Sequence, residues 1–150
     1  MGKSKSKNKK SNDTELYIKV PGMTKSINPS LVISLSNIDY PLFSYKYLQN
    51  VSFNKQKDAS FFHEFICRLH QYSTLGWQEK QTSGRHSFGF EYLPQTKMKH
   101  SLPTIITPDV DLMILRSSND NKALVGFREW NIFHIIFIEA NFNDIYDHSS

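Results

Sequence analysis

The last third of the chain constrains its fold most strongly, because turn-forming residues divide it into three short apolar segments. Each segment has the length of a β-strand, and the three follow one another as the strands of an antiparallel meander do. The third, IFHIIFIEA, is almost continuously apolar, which is typical of a central strand covered on both faces. We predict strands over Asp111 to Arg116, Ala123 to Glu129 and Ile132 to Ala140, with turns at Asn119-Asp120-Asn121 and Trp130-Asn131.

One segment before the meander has the periodicity of an amphipathic helix. From Asp58 to Leu75, the apolar residues fall within an arc of about 140° on a helical wheel, and polar residues take the other side. Asp58 or Ser60 can cap the start, and Gly76 can adopt the left-handed conformation at the end. The predicted apolar stripe is Phe61, Phe62, Phe65, Ile66, Leu69 and Tyr72, and the predicted polar side is Glu64, Arg68 and Gln71.

The remaining segments are mostly extended. Residues 15–20 and 31–36 alternate polar and apolar side chains and are predicted to pair as antiparallel strands. Residues 40–53 fit either another strand or an irregular aromatic segment, and residues 86–93 fit a strand that ends at Pro94. Together the elements predict one α+β domain over residues 13–150, with a mostly antiparallel sheet and one main helix, at about residues 58–75, packed on it.

The basicity of the chain is concentrated at its start. The formal net charge is +4, but residues 1–10 hold five of the 18 basic side chains, which leaves 13 basic against 14 acidic side chains in residues 11–150. Residues 1–12 cannot bury apolar area and are expected to form a disordered tail. The tail either solubilises the protein or attracts nucleic-acid phosphates through Lys3, Lys5, Lys7, Lys9 and Lys10.

Composition also indicates where the protein works. The single cysteine, Cys67, cannot form an internal disulfide, which suits a reducing compartment. No run of 18 or more apolar residues exists, and no hydrophobic segment follows the N-terminal lysines. We therefore expect a cytoplasmic protein with no membrane partner.

Two clusters of reactive side chains lie outside the meander. His63, Cys67 and His70 share one edge of the predicted helix and could hold zinc with a fourth ligand, although a coincidence of polar residues is the simpler interpretation. We expect no metal and no cofactor. Arg85 suits phosphate binding and the neighbouring His86 suits proton transfer, the alternative being a polar loop that leads into a strand.

The meander carries a third cluster. Arg116 ends its first strand, Arg128 lies late in the second and His134 lies early in the third. Arg128 and His134 are therefore predicted to be neighbours across the turn. His134 points where isoleucines point, so it is either a proton-transfer group or a buried histidine bonded to the backbone or to Asp144 or Asp147.

The final residues, DIYDH at 144–148, concentrate titratable side chains near the terminus. They either fold back on the sheet, where Tyr146 and His148 would complete a site, or form an acidic cap. Glu139 lies just before these residues. In the simplest interpretation, it marks the point where the last strand emerges into solvent.

Several motifs together resemble a family of uncharacterised bacterial proteins that are often encoded near mobile or defence genes. The motifs are RLHQYSTLGWQEKQTSGRHSFGFEYLP, the proline of ITPD, LMILRSS, VGFRE and NIFHIIFIEANFNDIYDH, and they cover most of residues 60–148. This resemblance points to relatives and implies no particular activity.

The chain is also similar to the RelE and ParE superfamily of toxins, which place one or two helices before an antiparallel meander bearing Arg, His and Tyr. In the ribonuclease members, such residues promote attack of the ribose 2′-hydroxyl on the adjacent phosphate. The extra strands before the helix and the nearly neutral body depart from the pattern of that superfamily. The similarity implies phosphate binding by Arg116 and Arg128, and proton transfer by His134, His86, Tyr146 or His148.

These observations predict a small cytosolic protein that acts on RNA, as a metal-independent endoribonuclease of the toxin type. Its candidate partners are RNA or the ribosome, and a neutralising protein that resembles an antitoxin. The alternative is a non-enzymatic module of a mobile-element or defence system, which binds nucleic acid or protein through its aromatic and basic surface, including Arg85 and the lysine tail.

Overall fold

The computed structural model describes residues 39–54, 58–84 and 87–149. The predicted strands at 15–20 and 31–36, the basic tail, Arg85 and His86 all lie outside these residues. Within the described part of the chain, no helix is long and apolar enough to cross a membrane.

A five-stranded sheet forms the centre of the described chain. Its strands are β1 (Leu42–Ser44), β2 (Glu91–Leu93), β3 (Leu112–Arg116), β4 (Ala123–Glu129) and β5 (Ile132–Ile138), and the helices are α1 (Val51–Asn54), α2 (Ala59–Ser73) and α3 (Trp77–Thr82). The strand order is β1-β5-β4-β3-β2, with β1 parallel to β5 and all other neighbours antiparallel. The predicted α+β class, the mostly antiparallel sheet, its apolar central strand and both turns of the meander are confirmed.

Helix α2 packs its aromatic residues on one face of the sheet. It begins after Asp58, whose carboxylate accepts a hydrogen bond of 2.9 Å from the Ser60 N–H, as predicted for a cap. The buried residues that α2 and the start of α3 share with this sheet face are Phe61, Phe65, Leu69, Tyr72, Trp77, Met113, Leu115, Leu124, Phe133, Ile135 and Ile138.

Two residues of α2 lie on the side opposite to the predicted one. Ile66, placed in the apolar stripe, is 59% exposed, whereas Arg68, placed on the polar side, is only 8% exposed. The Arg68 guanidinium lies 4.4 Å from the ring centroid of Phe88 and donates a hydrogen bond to the Ser87 carbonyl. An aromatic face and a carbonyl compensate for part of the cost of burying this cation, although its Nε has no hydrogen-bond partner among the described residues. Arginine therefore occupies a position that was predicted, from the polarity of its side chain, to face solvent.

Helix α3 follows α2 after a short connection. Gly76 takes an extended conformation (φ −67°, ψ 161°) and caps α3, so the predicted left-handed conformation at the end of α2 is wrong. Lys80 of α3 is fully buried, and its ammonium donates to the carbonyls of Tyr72, at 2.6 Å, and Leu75. Burial lowers the pKa of Lys80 to about 8, against the opposing effect of two nearby carboxylates.

The extended segments before the meander are shorter than predicted. The ambiguous residues 40–53 contain β1 and most of α1, and the strand predicted over 86–93 is limited to β2. Ahead of β2 the chain turns, because the N–H groups of Ser87 and Gly89 both donate to the Gly84 carbonyl, at 2.8 and 3.2 Å. A side chain at position 89 would overlap the Ser83 carbonyl, so this turn requires glycine.

A β-bulge between β4 and β5 changes the face on which the last residues of β5 lie. Val125 and Gly126 are consecutive, yet their partners are Phe137 and Ile135, so Ile136 is an extra residue in β5. Strict alternation would place Phe137 on the same face as Ile135, and it fails beyond the bulge. Phe137 packs on the face of the sheet away from α2.

Loops and the C-terminal residues cover that second face. Its buried cluster is Leu93, Ile106, Leu112, Ile114, Ala123, Val125, Ile136, Phe137, Ile145 and Tyr146. The sheet is therefore enclosed on both sides: α2 and α3 cover the first face, and irregular segments together with Val51 of α1 cover the second.

Substituting Gly126 by Ala should destabilise the protein by about 1–3 kcal/mol, as overpacking at a closed site does. A Cβ there would overlap the His134 carbonyl and lie 2.8 Å from the Phe133 ring. Gly84→Ala is the matched control, since a Cβ at position 84 meets nothing within 4 Å. Urea denaturation of the three proteins measures the difference. Equal losses at the two glycines would contradict the close packing at the bulge.

Replacing Lys80 by Met should remove a pH dependence of stability. The pKa of Lys80 is about 8 in the folded chain, whereas the ordinary pKa of lysine, 10.5, applies to the unfolded chain. Between these two pH values, the unfolded chain therefore binds more protons than the folded chain. The free energy of unfolding of the wild type, relative to that of Lys80→Met, should therefore rise from pH 8 to pH 10. Denaturant titrations across this range provide the test, and parallel curves for the two proteins would refute it.

Candidate functional site

The C-terminal residues fold back onto the second face of the sheet, one of the two arrangements that the sequence allowed. Tyr146 forms an antiparallel bridge with Met98, and Ile145 and Tyr146 are buried. Hydrogen bonds flank the bridge: the Lys99 N–H donates to the Ile145 carbonyl at 2.9 Å, and the Asp147 N–H donates to the Lys97 carbonyl at 3.0 Å.

This docking brings His148 onto the carboxylate of Glu139. The Nε2 atom of His148 lies 2.9 and 3.1 Å from the two carboxylate oxygens of Glu139. Glu139 is 0% exposed, so the interpretation that it emerges into solvent is wrong. The bulge is the physical reason, because it turns Glu139 together with Phe137 toward the second face. One carboxylate oxygen also accepts the Ala123 N–H at 3.0 Å.

The contacts of His148 define which nitrogen can exchange a proton. A carboxylate only accepts hydrogen bonds, so the neutral imidazole carries its proton on Nε2 and leaves Nδ1 with a lone pair. The rings of Tyr146 and Phe142 flank the imidazole, with centroids at 3.9 and 4.1 Å. The ring is thus fixed in position and in tautomer.

His148 lines a cavity of about 310 Å³ on this side of the sheet. Glu91 of β2 pairs with Ile114 of β3, and Arg116 lies two residues further along β3. Since alternate residues share a face, Glu91 and Arg116 lie on the same side of the sheet. The polar and aromatic side chains around the cavity include Glu91, Lys97, Arg116, Asn121, Phe142, Tyr146, Asp147 and His148.

Hydrogen bonds fix the two cations of the cavity. The Arg116 Nη1 donates to Oδ1 of Asn121 at 3.2 Å, and the Lys97 ammonium donates to the Ser149 carbonyl at 3.1 Å. The Ser149 hydroxyl and N–H donate to Asp147 and lower the pKa of that carboxyl group. The cavity therefore combines two cations and two carboxylates with one positioned imidazole.

Arg128 and His134 do not line this cavity. His134 pairs with Phe127 and Arg128 with Phe133, so the two side chains lie on opposite faces of the sheet although their positions are close along the hairpin. The predicted meeting of these two side chains is therefore wrong. Their proposed catalytic roles stay predictions.

Other contacts account for both side chains. The guanidinium of Arg128 lies 4.2 Å from the ring centroid of Trp77, and its Nε donates to the Trp130 carbonyl at 2.6 Å. His134 is 7% exposed, with Nε2 at 3.2 Å from a carboxylate oxygen of Glu129 and its ring stacked on Phe127 at 4.8 Å. The acidic partner of His134 is thus Glu129, not Asp144 or Asp147.

Of the cluster His63, Cys67 and His70 on helix α2, two side chains are in contact, and both are exposed. The Cys67 sulfur lies 3.7 Å from Nε2 of His63. Among the described residues, no group of three or more His, Cys, Asp or Glu side chains is arranged to hold a metal ion.

The structure brings together three of the candidate residues, Arg116, Tyr146 and His148, and adds others that sequence reasoning did not place in the site. Glu139 had a usable signal, because a carboxylate inside an apolar strand must find a partner. No sequence signal marked Lys97 or Phe142, because their positions relative to the cavity depend on how the C-terminal residues dock.

No family model, no curated protein and no solved structure matches this chain.

Glu139→Gln should reverse the tautomer of His148. The glutamine carbonyl can still accept the Ala123 N–H, and its amide then donates to Nε2, which forces the imidazole proton onto Nδ1. Nitrogen NMR shifts of the His148 ring distinguish the two tautomers, and the exposed His70 is the internal control. An Nε2–H tautomer in both proteins would show that the carboxylate does not set the ring.

Proposed function

We propose that this protein is an endoribonuclease that cleaves RNA by attack of a ribose 2′-hydroxyl on the adjacent phosphate. The observation that carries the proposal is the convergence of Arg116, Glu91 and a carboxylate-held His148 on one cavity. This set supplies a planar cation for a phosphate and two separate proton-transfer groups.

The order of elements supports the same class of function. Helices α2 and α3 precede the antiparallel meander of β2 to β5, which is the arrangement implied by the similarity to RelE and ParE toxins. Arg116 and the C-terminal Tyr146 and His148 lie at this meander, as that similarity also implies.

The chemistry needs a base, an acid and stabilisation of the charged phosphorane. A base removes the proton of the 2′-hydroxyl, the 2′-oxygen bonds to phosphorus, and the bond from phosphorus to the 5′-oxygen breaks. An acid protonates that leaving oxygen, so the products are a 2′,3′-cyclic phosphate and a 5′-hydroxyl. The guanidinium of Arg116 and the ammonium of Lys97 offset the charge that grows on the phosphate oxygens.

The roles of the two proton-transfer groups follow from the chemistry of their side chains. Glu91 is the base, because a carboxylate accepts the hydroxyl proton. His148 is the acid in its imidazolium form, which releases the proton from Nδ1 while Nε2 stays on Glu139. The Tyr146 ring stacks on the imidazole of His148 and helps to hold it in place.

The proposed activity should depend on the cavity and not on Arg128. His148→Ala and Arg116→Ala should each lower the cleavage rate of a mixed-sequence RNA by about 10² or more, the usual contribution of a positioned acid or charge-stabilising donor. His70→Ala and Arg128→Ala are matched controls, because both side chains lie outside the cavity, and their rates should stay within about threefold of the wild type.

Gel analysis of end-labelled RNA, with circular dichroism to confirm folding, provides the measurement. A product that ends in a 2′,3′-cyclic phosphate identifies the proposed reaction. Folded wild-type protein that binds RNA but leaves both free and ribosome-bound RNA intact would overturn the proposal in favour of a binding module. Loss of cleavage in Arg128→Ala alone would move the site to the other face of the sheet.

A further inference from the structure

Phe142 is an exposed aromatic ring at the edge of the proposed reaction centre. It lines the same cavity as Arg116 and Lys97 and is 55% exposed. Its ring lies 4.1 Å from the imidazole of His148, at an interplanar angle of 41°. Because the His148 contact covers only part of the ring, more than half of the Phe142 side chain remains open to a ligand.

The charges of the cavity favour an additional, uncharged contribution to binding. Arg116 and Lys97 are offset by Glu91 and Asp147, and hydrogen bonds from Ser149 lower the pKa of the Asp147 carboxyl group. Coulomb attraction to a phosphate is therefore weak at this site. An uncharged contact therefore adds to the affinity of a nucleic acid that binds here, and an open aromatic ring provides one.

Aromatic rings beside phosphate-binding cations are a recurring solution for unpaired bases. Stacking of a base on an aromatic side chain contributes about 1–3 kcal/mol and tolerates any base, because every base has a π face. One ribose joins a base to its phosphate, so a nucleotide requires a cation and a ring in the same cavity, and Arg116, Lys97 and Phe142 line one cavity. A cavity of about 310 Å³ is at the small end of ligand sites and admits one nucleotide, not a duplex.

We infer that Phe142 is a stacking platform for the base next to the scissile phosphate, so that the substrate is an RNA segment whose bases are unpaired. The inference rests on the proposed function and assigns the class of substrate to it. Phe142 contributes to binding through the base, in addition to its contact with His148.

Binding can be tested without cleavage. The probes are short single-stranded DNA oligonucleotides, which lack the 2′-hydroxyl, with 2-aminopurine at each position in turn. The wild type should quench the fluorescence of one such position through stacking. Phe142→Trp should retain the quenching and Phe142→Leu should lose it. Equal quenching by the wild type and Phe142→Leu would overturn the inference.

Cleavage gives a second readout that separates stacking from support of His148. On an intact RNA, Phe142→Leu should raise KM about tenfold, within the range of one stacked base. On the same RNA with an abasic nucleotide at the stacked position, the wild type and the variant should have equal KM. An equal fall of kcat on both RNAs, with KM unchanged, would mean that Phe142 only supports His148 and would refute the platform.

A third experiment tests whether base pairing of the target prevents cleavage. The wild type should cleave the target sequence in an unstructured RNA and should leave it intact within a hairpin stem. Equal cleavage of both forms would contradict the inference while leaving the proposed nuclease activity in place. If no RNA is cleaved at all, the proposed function fails, and the 2-aminopurine measurement still decides whether Phe142 stacks on a base.

Discussion

The hydrogen bonds of the buried Glu139 carboxylate join distant parts of the chain, and the site depends on them. One oxygen accepts the N–H of Ala123 in β4, and both oxygens contact His148 near the C-terminus. Burial of a carboxylate without such partners would be unfavourable, because desolvation of an unpaired charge costs several kcal/mol. The docking of the C-terminal residues and the burial of Glu139 are therefore interdependent. The bulge opposite Gly126 sets this arrangement, since one extra residue determines the face that Glu139 reaches.

The two faces of the sheet use their cations differently. On the helical face, cations pack against aromatic rings: Arg68 on Phe88, Arg128 on Trp77 and Lys122 on Phe61, at 4.4, 4.2 and 5.0 Å from the ring centroids. Contacts of this kind stabilise the packing of α2 and α3 by about 0.5–2 kcal/mol each. On the other face, Arg116 and Lys97 line a cavity instead. The proposed chemistry is therefore confined to the face of the sheet opposite α2 and α3.

Local signals predicted the elements, and non-local packing decided the site. The meander was predictable because its turns and apolar segments are encoded within a few residues, and the start of α2 because Asp58 is a strong cap. The bulge was not predictable, because it requires a close approach of Gly126 to the backbone of His134, which no sequence pattern reveals. Arg128 and His134 illustrate the limit: closeness along a hairpin was correctly inferred, but an offset of one residue in register puts their side chains on opposite faces.

The parallel pairing of β1 with β5 has a kinetic consequence. Leu42 pairs with Ile132, so this contact encloses the helices and all the other strands in one loop. The hairpins of β3, β4 and β5 close only short loops and can form early, whereas β1 can pair only after β5 has formed. Non-local contacts of this kind slow folding, because the entropy of loop closure is lost before the contact is gained. The attachment of β1 is thus the step expected to limit the folding rate, and until it occurs β5 retains an open edge that can pair with another chain.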